Sequence, residues 1–165
     1  MGFRDEVRKQ DEAPRLRALE DAQRRAEAAS LVADITAVFL ERRIRTLPIY
    51  SRFNDDSDTG QYHQWAEGWM LSGSVHHSSP AVGYEHHEPG YILTTAGHVH
   101  ASHSVSIQSE PTAGHPEINR VPAIVTWILS PEWQGDENGH KAYVQESALH
   151  LLAAGDQLAN FDIRR

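Results

Sequence analysis

YILTTAGHVHASHSVSI, Tyr91 to Ile107, is the stretch whose reading decides the fold. Tyr91 to Thr95 is rich in β-branched and aromatic residues, Ala96 and Gly97 supply a turn, and the residues from His98 alternate apolar with polar side chains. That is the pattern of a β-hairpin. In its second arm Val99, Ala101, Val105 and Ile107 share one row with His103, while His98, His100, Ser102, Ser104 and Ser106 share the other. A period of two sends the first row inward and the second to solvent, so the arm reads as one half-buried strand running to Gln108.

Outward from the hairpin the pattern stays that of strands. LPIYSRF before it is a short strand, NDDSDTGQ a polar loop, and YHQWAEGWMLSGSV a longer strand. In that strand Trp65, Glu67, Trp69, Leu71 and Gly73 fall on one face and Ala66, Gly68 and Met70 on the other. After the hairpin, VPAIVTWILS reads as the most buried strand. Only the ends are helical. Phe3 to about Arg45 is dominated by Ala, Arg, Glu and Leu, with no Gly after Gly2. Pro14 fits the first turn of a helix begun near Asp11, with FRDEVRKQ as a separate turn before it, and Pro48 is expected to end the helix. Leu31, Ile35, Val38 and Phe39 form an apolar stripe that thins to Leu16, Leu19, Ala22 and Ala26. His140 to Phe161 is amphipathic, with Val144, Ala148, Leu151, Leu152 and Leu158 on its apolar side.

Strands in a block between helices imply an α+β fold: a long N-terminal helix, an antiparallel sheet of about five strands, and a C-terminal amphipathic helix packed on the sheet. The thinning stripe divides the chain into a projecting or oligomerising arm, residues 1–27, and a single α+β domain, residues 28–165.

Composition excludes several function classes. The 165-residue chain has no cysteine, hence no disulfide framework, thiolate metal site or cysteine nucleophile. Its apolar runs are too short to span a bilayer, and its first residues lack the apolar core of a secretory signal, so a cytoplasmic protein without membrane contact is expected. Residues 1–46 carry ten Lys plus Arg against nine Asp plus Glu, and the remainder five against fourteen. An acidic body repels phosphates, and the bases at Arg24, Arg25 and Arg42 to Arg45 alternate with Glu20, Asp21, Glu27 and Glu41, which disfavours nucleic acid as a partner. No Walker A, G-x-G-x-x-G, G-x-S-x-G or H-E-x-x-H pattern occurs. NDDSDTGQYHQW begins like a calcium loop, but Thr59 stands where the loop needs Gly and Trp65 where it needs Glu.

The histidines carry the remaining chemistry. His98 and His100, two apart on a strand, point the same way and could share a metal ion with His103 or with His76, His77, His86 or His87. Zinc, nickel or copper would suit imidazole ligands. The H-x-H-x-x-H spacing resembles the H-x-H-x-D-H signature of the metallo-β-lactamase fold family, which implies a metal-bound water attacking a carbonyl or phosphoryl centre. The resemblance covers about ten residues, and a motif of this kind depends on its structural context. Ser102 stands where that family has Asp, and SVSIQ prolongs a strand where the family enters a helix.

Three functional expectations follow. The first is a small non-catalytic interaction protein of bacterial or phage type, without cofactor, that binds a protein partner, itself included, through the N-terminal helix and one sheet face. Leu16, Leu19, Arg24 and Arg25 on the helix, and Trp65 and Trp69 sharing a strand face, are its contact residues. The second is a histidine-cluster metal-binding protein or metal-dependent hydrolase centred on His98, His100 and His103. The third is a pH-responsive binding module, since protonating all eleven histidines would reverse the formal charge of −8.

Overall fold

A computed structural model describes residues 2–51, 61–76, 90–102, 105–111, 114–126, 132–135 and 140–163. The Ala, Arg, Glu and Leu run forms one helix, α1 (Phe3–Glu41), which passes unbroken through Pro14. The break expected ahead of Asp11 is absent. Pro14 forfeits a single bond to the turn before it, and strong helix formers on both sides, with Arg8 paired to Glu12 at 3.0 Å, carry the helix across. Its end also lies earlier than Pro48. Arg43 adopts a left-handed φ of 55°, the Arg43 N–H donates to Leu40 O at 3.1 Å, and the Ile44 N–H donates to Phe39 O at 3.0 Å. These bonds form a Schellman motif, and Ile44 and Phe39 close it by packing in the same cluster.

Strands β1 (Leu47–Ser51), β2 (His63–Ser72), β3 (Ser74–His76), β4 (Gly90–Thr94), β5 (Val99–Ser102), β6 (Val105–Gln108) and β7 (Ala123–Thr126) follow, then α2 (His140–Ala154) and α3 (Gln157–Asn160). The strands form one sheet in the order β3-β6-β7-β1-β2-β4-β5. It has seven strands where about five were expected, and it is mixed, not antiparallel: β1 pairs with β7 and β3 with β6 in parallel. Pro48 sits in β1 ahead of the β7 ladder, which starts at Ile49, so its missing N–H leaves no gap there.

The higher count comes from two bends. Only Gly73 separates β2 from β3, and only residues 103–104 separate β5 from β6. Val99 and Ala101 pack toward the helices, whereas Val105 and Ile107 belong to a different cluster. Four residues of equal parity cannot split in this way along one straight strand, so the expected strand from His98 to Gln108 is two strands meeting at a corner. Ser102 and Val105 lie at most about 11 Å apart along the chain. Yet β5 ends the strand order on one side while β6 stands next to the last strand on the other. The sheet therefore rolls up until its ends meet, and the Ser102 and Thr126 hydroxyls touch across the closure at 3.1 Å.

This barrel has two apolar layers. Outside, Ala28, Val32 and Phe39 of α1 and Val144, Ala148 and Leu151 of α2 pack on Trp69, Leu71, Tyr91, Leu93 and Val99. The C-terminal amphipathic helix thus packs on the sheet as expected. Inside, Leu47, Ile49, Met70, Ile92, Val105, Ile107 and Ile124 fill the barrel, and Leu158 and Ile163 stopper one end. The helix expected through Phe161 stops at Gly155, whose φ of +74° only glycine adopts readily. Asp156 then caps α3 by accepting the Leu158 N–H at 2.9 Å, and this turn aims Leu158 into the barrel.

Candidate functional site

The barrel end away from α3 has a polar interior. Ser51 shares the inward row of Ile49, and Thr126 lies beside it on β7. The Thr126 hydroxyl meets that of Ser102, and two residues before Ser102 on the same face stands His100. The His100 ring meets the Trp65 ring edge to face, with centroids 5.3 Å apart at 81°. Trp65 completes the circle because the β1–β2 register shifts between Ile49 and Tyr50: Ile49 faces Ala66 while Tyr50 faces Gln64, leaving Trp65 as the extra residue of a bulge. It is thereby a diagonal neighbour of Ser51 on the inner side.

The bulge corrects the expectation that Trp65 and Trp69 share a face. Trp65 and Ala66 pack on the barrel interior, whereas Trp69 packs outward on Phe39 with ring centroids 5.2 Å apart. Trp69 is 0% exposed, and its Nε1–H donates to Ile44 O at 3.1 Å. It offers no surface to a partner.

Two polar atoms in this circle stand out. Ser51 Oγ and Trp65 Nε1 are cut off from solvent, and neither has a hydrogen-bond partner. Ser51 is 0% exposed, while Trp65, His100 and Ser102 are half-buried and border the opening. An orphaned buried donor costs about 1–3 kcal/mol. Ser51, Ser102 and Thr126 carried no signal in the sequence, where they read as ends of apolar runs or as solvent-facing hydroxyls.

The histidine triplet does not assemble among the described residues. His98 lies outside β5 and pairs through Nδ1 with Glu132 at 2.8 Å. His100, expected outward, faces the barrel interior against Trp65. His103, His77, His86 and His87 lie outside the described residues, as does most of the calcium-like loop. Among the described residues no three His, Asp or Glu side chains are placed to hold a metal ion.

The arm is the second candidate. Along α1 the buried positions are Ala28, Val32, Thr36 and Phe39, all in its second half. Before them Phe3 is 80% exposed, Leu16 58% and Leu19 67%. Arg24 is half-buried and ion-paired with Asp21, and Arg25 is exposed. Glu27 meets Lys141 of α2 at 2.9 Å; this bond, then the Gln23 amide, lowers its carboxyl pKa below the ordinary value. A shallow cavity of about 170 Å³ follows between the helices, lined by Leu31, Ile35, Val38, Leu149 and Leu152.

Between β6 and β7, Glu117 Oε1 accepts the Tyr62 N–H at 2.9 Å and meets His115 Nδ1 at 3.1 Å. Burial would raise the Glu117 pKa, but the N–H of Tyr62, its own N–H and the His115 ring outweigh burial and lower it. The pair ties that loop to the start of β2. No helix among the described residues is long and apolar enough to cross a membrane. No protein-family model, curated protein or solved structure matches this chain.

Proposed function

We propose that this chain is a small non-catalytic interaction protein that assembles with a second copy of itself through the first half of α1. The carrying observation is the exposure of Phe3, Leu16 and Leu19 on a helix that continues rigidly from the body. Residues 3–27 extend roughly 37 Å at the rise of an α-helix, and a helix standing in water gains little from its own hydrogen bonds. Burial of Leu16 and Leu19 against a partner would supply the missing stabilisation, with Arg25 and the neighbouring acids setting register. Both sheet faces are covered, by α1 and α2 outside and by the barrel interior inside. The arm is therefore the reading's only contact surface. Light scattering on the full chain and on Leu16→Glu with Leu19→Glu tests it. A mass that falls to one chain in the variant supports assembly through the arm; equal masses in both proteins count against it.

A pH-responsive second reading is favoured by the His98–Glu132 and His115–Glu117 pairs, at 2.8 and 3.1 Å. Histidines change charge near neutrality, so the same mass measurement at pH 5 and pH 7 tests it: an unchanged mass removes this reading.

A further inference from the structure

We infer that the polar end of the barrel is a binding site for a small, uncharged, planar molecule bearing a carbonyl-type acceptor. The site is built by the sheet's closure. Thr126 and Ser102 meet across it, Ser51 forms its floor beside Ile49, and Trp65 and His100 stand over it. Barrel mouths are recurrent sites for small ligands, and here α3 stoppers the other end, leaving one entrance.

The chemistry of the five residues defines the occupant. Trp65 Nε1 only donates, so the ligand must present an acceptor to it. Ser51 Oγ both donates and accepts, and it too is buried and unpartnered. None of the five side chains carries a fixed charge, and a charged ligand would be stripped of water without a counterion. Two rings at 81° form a right-angled corner against which a flat ring can lie face to edge. The floor beneath is aliphatic, with Ile49, Ile92 and Val105. An uncharged aromatic amide or lactam satisfies all four requirements.

The test is a titration of the full chain with benzamide, followed by the indole N–H signals in a nitrogen–proton correlation spectrum. Trp65→Phe identifies the Trp65 signal by its loss. A saturable displacement of that signal by benzamide is expected, with no displacement by benzoate, which has the same shape and a charge, or by toluene, which lacks the acceptor. Ser51→Ala removes an unpartnered hydroxyl and should fold; its affinity for benzamide should fall about tenfold, the loss of one hydrogen bond. The inference is overturned if the Trp65 signal ignores benzamide, which leaves the cavity to water alone. It is equally overturned if benzoate or toluene displaces the signal as well as benzamide does, or if Ser51→Ala binds benzamide as tightly as the parent.

Discussion

The side chain of Gln157 completes the hydrogen bonding of Met70, a residue in another layer of the protein: Gln157 Oε1 accepts the Met70 N–H at 3.0 Å. The same amide donates through Nε2 to Arg45 O at 2.7 Å and to Gly68 O at 3.2 Å. The β1 ladder reaches only as far as the pair Leu47–Gly68, so the edge of β2 beyond Gly68 faces no strand. A 0% exposed glutamine stands in for the missing backbone. Replacing it by Leu keeps the volume but orphans one donor and weakens two acceptors. Gln157→Leu should cost about 2–4 kcal/mol in denaturant unfolding, and a change under about 0.5 kcal/mol would show that water takes over the amide's role.

The two left-handed residues that end helices predict opposite results. Arg43 bears a side chain at φ 55°, where a residue with Cβ is disfavoured by about 1–2 kcal/mol. Arg43→Gly should therefore stabilise the protein by up to about 1 kcal/mol, less the entropy that glycine adds to the unfolded chain. At Gly155 a Cβ would meet nothing within 4 Å, so only the φ of +74° opposes it. Gly155→Ala should lower stability by about 1 kcal/mol. Thermal melts of both variants moving in the same direction would contradict this account of the caps.

Along α1 the same change should cost very different amounts. Phe39 is 1% exposed against Trp69 and Ile44, whereas Leu19 is 67% exposed. Phe39→Ala should cost about 3–5 kcal/mol. At low protein concentration Leu19→Ala should cost under about 0.5 kcal/mol, and its effect should grow with concentration if the arm mediates assembly.

Acid should loosen the tie between β2 and the loop before β7. Because the Glu117 pKa in the folded chain lies below its ordinary value of 4.5, its contribution is complete above that value. It disappears as pH falls through the folded-state pKa. Glu117→Gln should be less stable than the parent at pH 7, and the gap should narrow at pH 3. A gap of equal size at both values would show that the carboxylate charge is irrelevant there.

The element sequence was legible because it rests on local periodicity. Leu31, Ile35 and Phe39 repeat at helical spacing, and the Tyr91–Ile107 stretch alternates around its Ala96–Gly97 turn, which the chain does form. The break at Gly155 was also signalled, by a glycine near the end of an apolar helix. Pro14 misled because the cost of a proline is local, whereas the helix is set by the residues on both sides of it.

What the sequence by itself determined is the α+β class, the helical ends, the block of strands and the apolar rows of each. Only the tertiary structure decided which row faces which layer. A bulge at Trp65 and a corner at residues 103–104 each reverse the facing that a uniform period of two predicts, and neither has a residue signature of its own. Sheet closure then brings Ser51, Trp65, His100, Ser102 and Thr126 together from four strands. Such proximity is fixed by long-range pairing, which the order of residues along the chain does not display.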